Sequence, residues 1–234
     1  MEQWIQGIAE SDLMKQIYQN IIYADRWKLL LGGLTMTMKI TLAAILIGTV
    51  LGVLAALMKV SKYALLRFPA VLYINLIRGT PVMIQLLIIY YVVFATVDID
   101  KVVVAVIAFG INSGAYIAEI FRGGILSVDK GQVEAGRSLG LRHWQTMWHI
   151  VLPQALKNCL PTYTSEFITL VKETSIVGYI ALEDLTKVGD IIRSKTYSAL
   201  VPLITVALVY LLITTLLTWL FGKLERRLRE SDIR

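Results

Sequence analysis

Residues 40–58 read ITLAAILIGTVLGVLAALM, nineteen uncharged residues fenced by Lys39 and Lys59. A helix rises about 1.5 Å per residue, so about 20 mainly apolar residues cross the hydrocarbon core of a bilayer. Three more blocks of this kind follow. Nineteen uncharged residues separate Arg78 from Asp98, seventeen separate Lys101 from Glu119, and twenty-seven separate Lys195 from Lys223. Four membrane spans are therefore expected on length alone.

The rest of the composition agrees. The chain of 234 residues is 56% hydrophobic and 17% charged, with a mean hydropathy of +0.66. Soluble domains run to roughly 45–50% apolar and about 25% charged residues. A fifth span is expected at residues 150–171, although it carries Pro153, Lys157, Pro161 and Glu166. Its apolar side chains favour insertion by roughly 3 to 5 kcal/mol, while each central charge costs about 2.5 to 3.5 kcal/mol. The sum is near zero. Such a helix crosses only with its polar side against protein or a water-filled cavity.

The net charge of +6 reads as a topology signal. Basic residues gather at Lys59, Lys62 and Arg67, then at Arg122, Lys130, Arg137 and Arg142, then at Lys223, Arg226, Arg227 and Arg229. With those segments cytoplasmic, five spans alternate with the N-terminus outside and the C-terminus inside. A nucleic-acid partner would need a solvated basic domain, and the pattern contains none. The acidic residues Glu2, Glu10, Asp12 and Asp25, ahead of a long apolar block, predict no cleavable signal peptide. Cys159 is a single cysteine, read as a buried, inert thiol, and His143 and His149 lack a second ligand pair, so no metal is expected.

Residues 1–28 are expected to form an external or interfacial segment, residues 29–222 the membrane domain, and residues 223–234 a basic cytoplasmic tail. In the first helix, expected over 29–58, Gly48 and Gly52 form a small-xxx-small pair suited to close packing. Residues 68–97 are too long for one straight crossing. Thr80 as a cap and Pro81 at the first helical position predict a break there, with Arg78 reaching for headgroups. Beyond the fourth crossing, Leu182, Leu185, Val188, Ile191 and Ile192 recur at near-helical spacing. They predict an amphipathic helix on the outer surface.

The segment from Arg122 to His149 carries the most specific signal. Glu134-Ala135-Gly136-Arg137-Ser138-Leu139-Gly140-Leu141 is followed, nine residues after Gly140, by Ile150-Val151-Leu152-Pro153. This resembles the EAA signature of ABC-importer permeases, with Gly136 standing where the signature has Ala. Gly in a helix costs about 0.5–1 kcal/mol relative to Ala, so a looser helix is expected. Three further motifs resemble the branch for polar amino acids: Arg78-Gly79-Thr80-Pro81 with Gln85, Tyr116-Ile117-Ala118-Glu119 with Arg122-Gly123-Gly124, and Lys172-Glu173-Thr174-Ser175.

The resemblance covers about residues 29–222. It implies an all-α, multi-pass protein of the bacterial cytoplasmic membrane, with about five transmembrane helices and a cytoplasmic coupling helix. Glu134, Ala135, Gly136, Gly140 and Leu141 would meet the ATPase. The implied partners are two ATP-binding cassette subunits, a second permease copy or paralogue, an extracytoplasmic solute-binding protein, membrane lipid and a polar amino acid. Gly222-Lys223 is followed by Leu224, so no phosphate loop is present and hydrolysis would fall to a separate subunit. No cofactor and no enzymatic activity are expected. The other reading of the cytoplasmic segment is an amphipathic loop on the inner leaflet; the other readings of the chain are a self-sufficient secondary transporter or channel, which leaves that segment unexplained, and a non-transporting structural subunit.

Glu166 follows Pro161 by five residues, with Thr162 and Thr169 at i−4 and i+3 on one face. Its carboxylate could hold an ammonium group, or could pair with Arg78, Lys39 or another subunit's base. The resemblance favours substrate contact, with Gln85 as a further candidate. Glu119 is read as structural.

Overall fold

The computed structural model describes residues 12–230, and among them every regular element is helical. Helix α1 spans Arg26–Val60, α2 Ala64–Arg78 and α3 Val82–Ile88, which runs on through a wide π turn at Ile89–Val93. Then come α4 (Lys101–Leu126), α5 (Lys130–Ser138) and α6 (His143–Thr146). Another wide turn, Met147–Val151, leads into α7 (Leu152–Glu173). A 3-10 segment at Thr174–Ile180, α8 (Leu185–Thr196) and α9 (Leu200–Glu230) complete the order.

Three stretches, Asp12–Val60, Lys101–Leu126 and Leu200–Arg227, are long and apolar enough to cross a bilayer. The block after Arg78 is not a single straight crossing. Only Val82–Val93 of it is helical, and it meets α2 at a bend of 106°, so the two together make at most one broken span. α7 has 22 residues, enough for a crossing, but it falls short in hydropathy. That matches the near-zero insertion energy of its charges.

α4 is the central helix. Val104, Ala105, Ala108, Phe109, Ala115, Ile117 and Ala118 are all buried. Its main partner is α1, and the seam between them is built from small residues. A Cβ added at Gly48 would lie 3.2 Å from the Gly110 carbonyl oxygen, and one at Gly52 would lie 2.7 Å from Ile117 Cβ. On α4, Gly110 would meet Ile47 and Gly114 would meet Leu51, each at 3.0 Å from a Cβ. The Gly48–Gly52 pair therefore does serve close packing. Its counterpart, Gly110–Gly114, has the same spacing in the sequence. On the far side of α1, Leu42, Leu46, Val50, Leu54 and Leu57 form an exposed stripe, as a helix bathed in hydrocarbon requires.

α8 is the expected amphipathic helix, with Arg193, Ser194 and Lys195 exposed. Its apolar face packs on the bundle. Leu185, Val188 and Ile192 are buried with Leu30 of α1 and Val206 of α9. Asp184 starts α8 by accepting from the backbone N–H of Thr186 (2.9 Å) and Lys187 (3.0 Å). Burial pushes its carboxyl above the usual range, and those N–H bonds oppose the shift. Gly33 makes the approach possible, since a Cβ there would lie 2.8 Å from the Asp184 carbonyl oxygen.

The seam yields a test. Gly52→Ala pushes a methyl into the branched carbon of Ile117 and should cost about 1–3 kcal/mol. Gly32 has nothing within 4 Å of an added Cβ, so Gly32→Ala is the control. The melting temperature of the detergent-solubilised protein should drop for Gly52→Ala and hold or rise for Gly32→Ala. Equal melting for the two would remove the seam from the account.

Candidate functional site

The Glu134–Leu141 motif folds into α5 and its C-terminal turn, with defined ends. Asp129 caps its start by accepting from Gly131 N–H at 2.6 Å, a signal present in the sequence but not used above. At its end, Leu141 N–H reaches the Gly136 carbonyl (3.1 Å) and Gly140 N–H reaches the Arg137 carbonyl (3.0 Å). This is a Schellman motif with Gly140 in the left-handed region at φ 83°. A side chain is disfavoured there, which accounts for glycine at this position.

Gly136 is not a loosening defect. It is buried, and a Cβ at this position would lie 2.8 Å from Ile150 Cδ1 and 3.0 Å from Thr146 Cγ2. Lacking that Cβ, α5 seats against the turn that enters α7. The opposite side is open to a partner: Glu134, Ala135 and Arg137 are exposed, Leu139 is 83% exposed and Trp144 62% exposed, while Leu141 is half-buried.

The second feature is a cavity of about 700 Å³ between α4, α7 and the break after α2. Glu166, Thr162 and Thr169 line it together, as their helical spacing predicted, and Ser165 joins them. Ser113 of α4 donates to Glu166 Oε1 at 3.1 Å. Arg78 also lines the cavity, its guanidinium 5.3 Å from the Tyr116 ring centre, rather than merely ending a helix near headgroups. Glu119 borders the same space but is committed elsewhere. It accepts from Arg122 Nε (3.0 Å) and Nη2 (2.8 Å) and from Lys59 of α1.

Gln85 is not brought to this cavity. Its Nε2 faces the carbonyl oxygens of Ile77 (2.7 Å) and Thr80 (3.0 Å) and the Thr80 hydroxyl (2.8 Å), and its Oε1 accepts from Asn112 Nδ2 at 2.9 Å. It closes the broken backbone. Thr80 does not cap α3 either: its hydroxyl donates back to the Leu76 carbonyl at 2.8 Å, and Pro81 holds the cap position. Ser113 was missed because a lone Ser in an apolar block carries no spacing signal.

The family described as the binding-protein-dependent transport system inner membrane component matches residues 48–230. The arginine transport system permease protein ArtQ of Bacillus subtilis is 38% identical over 205 residues, covering 87% of this chain and 94% of that protein. The glutamine transport system permease protein GlnP of Escherichia coli K12 is 38% identical over 204 residues, covering 86% and 93%. Among solved structures, the crystal structure of an amino acid ABC transporter with histidines is 44% identical. It covers 86% of this chain and 94% of that one with a TM-score of 0.81. With this family match and these relatives in agreement, the chain belongs to the family of inner membrane components of binding-protein-dependent transport systems and is a permease subunit.

Proposed function

We propose that this permease passes a polar amino acid through the cavity bordered by Glu166 and Arg78. The observation that carries the reading is that one space of about 700 Å³ presents both a carboxylate and a guanidinium. A zwitterionic amino acid needs that pair: an acceptor for its ammonium and a planar donor for its carboxylate. Thr162, Ser165 and Thr169 add hydroxyls along the same wall. A second permease copy or a paralogue would complete the enclosure. An extracytoplasmic binding protein would deliver the solute, and two ATPase subunits would dock on α5. The proposed setting is the bacterial inner membrane, crossed five times, with the broken α2–α3 pair and α7 each counted as a span.

Glu166→Gln keeps shape and removes charge. A charge-assisted hydrogen bond contributes about 1.5–3 kcal/mol, so the half-saturating solute concentration for stimulated ATPase should rise roughly 10-fold to 150-fold. Yield of the assembled complex should be retained. Loss of assembly with an unaltered half-saturation point would make Glu166 a helix fastener instead.

At the docking helix, Glu134→Ala removes an exposed charge, and Gly140→Val forces a β-branched residue into a positive φ. Both should leave the protein in the membrane while transport and solute-stimulated ATPase fall together. Full coupling in a reconstituted complex carrying either change would overturn the role of α5.

The topology is tested by labelling. In right-side-out vesicles, Arg229→Cys should be silent to an impermeant maleimide and should react once the vesicles are opened. Reaction in sealed vesicles would put the tail outside and exclude the five-span arrangement.

A further inference from the structure

We infer that Gly123 sets the clearance at the end of the cavity nearest α5, and with it the rate at which a solute passes. The inference rests on the transport reading just given, and adds to it a residue that governs passage rather than affinity. A glycine inside a helix is less stable there than alanine, so its presence needs a reason. One reason is a positive φ, and among the described glycines only Gly140 has one. Another is close packing, which explains the next residue along. A Cβ at Gly124 would lie 2.7 Å from the Ala155 carbonyl oxygen and 2.8 Å from Cys159 Cβ. Gly123 has neither reason. A Cβ added there would meet nothing within 4 Å, and Gly123 lines the solute cavity. Gly32 and Gly222 are equally free of neighbours, but neither borders that cavity.

The cavity is longer than any one amino acid. It is lined from Tyr116 to Ser127 along α4 and its C-terminal cap, and from Thr169 to Asn158 along α7. Each run is about 16 Å long at 1.5 Å per residue. The two ends differ in chemistry. Arg78, Tyr116, Glu166 and Thr169 stand at one, and Gly123, Gly124, Ser127 and Asn158 at the other. None of the latter four is charged. Glu119, between the ends, is already bound to Arg122 and Lys59.

The polar groups of the uncharged end are engaged with one another. Asn158 Nδ2 donates to the Ser127 hydroxyl at 2.9 Å, and that hydroxyl donates to the Gly124 carbonyl at 2.8 Å. A zwitterion leaving Glu166 and Arg78 therefore meets no second pair of opposite charges to hold it. This end is suited to release, and the bare backbone at Gly123 keeps it wide.

The complete transport complex would be reconstituted in proteoliposomes with its binding protein, and uptake measured with the radiolabelled amino acid that wild type takes up fastest. Gly123→Leu should cut maximal uptake roughly ten-fold or more, the scale on which an overfilled space slows a process, at unchanged half-saturation. Gly123→Ala should fall between it and wild type. Melting temperature and complex yield should hold or rise in both, because helix propensity improves and nothing is displaced. Gly124→Ala should instead melt lower. Without any solute, Gly123→Cys in a Cys159→Ala background should react with an impermeant maleimide in opened vesicles. Wild-type uptake in Gly123→Leu would overturn the inference, as would an unreactive cysteine at this position. So would loss of complex yield in Gly123→Leu, which would make the open face of Gly123 a contact with the second permease. The transport reading is tested apart from this, since Glu166→Gln moves half-saturation and Gly123→Leu moves the maximal rate.

Discussion

Helices in a bilayer gain little by hiding leucines from a solvent as apolar as leucine, so their contacts depend on how closely backbones can approach. In this protein that constraint is met at the α1–α4 seam, where Gly48 and Gly52 face Gly110 and Gly114. The rest of the bundle is referred to it. Ser113, adjacent to Gly114, holds Glu166 of α7, and the Tyr73 hydroxyl of α2 donates to the Ile111 carbonyl at 2.6 Å. At the far end of the seam, Lys59 of α1 meets Glu119 of α4. A shift of α4 relative to α1 would displace the donor to Glu166 and loosen the hold on α2 at once.

The break between α2 and α3 raises the opposite problem. A helix interrupted in the membrane leaves carbonyls without their ladder donors, and no water is at hand to satisfy them. The Gln85 side chain takes over that task, supplying one amide to the last turn of α2 and the linker while Asn112 holds its oxygen. The 106° bend then brings Arg78 to the edge of the cavity. Sequence reasoning placed the break correctly but assigned Gln85 to the solute. A polar residue in an apolar block has two physical explanations, binding or backbone closure, and only coordinates separate them.

Other features divide along the same line. Where a signal is local, it was legible: the Thr162–Glu166–Thr169 face follows from helical period, and the end of α5 follows from Gly140. Where the signal depends on what lies opposite, it was not. Gly136 looked like a weak point until Thr146 and Ile150 appeared against it. The apolar face of α8 was legible as a face, but nothing local says whether it meets lipid or its own bundle. Gly33 is what decides that, because it admits the Asp184–Leu185 backbone. Glu119 was read as structural, and its two basic partners agree.

The two candidate sites are joined by α7 and the turn that leads into it. α5 seats through Gly136 on the turn that becomes α7, and from Leu152 to Glu166 that helix runs about 21 Å at 1.5 Å per residue. α7 is continuous through Pro161, and just beyond it the Ser165 hydroxyl donates to the Pro161 carbonyl at 2.8 Å and the Thr164 hydroxyl to Glu225 of α9 at 2.8 Å. In the proposed coupling, a tilt imposed at α5 would travel along this helix to Glu166. There it would act against Ser113, the neighbour of Gly114 in the glycine seam, which puts the Ser113–Glu166 bond where the two helices would part. Parting it would free the carboxylate for a solute ammonium, or release one already bound. The role proposed for this subunit needs that geometry: a lever with α5 at one end and a charged contact at the other.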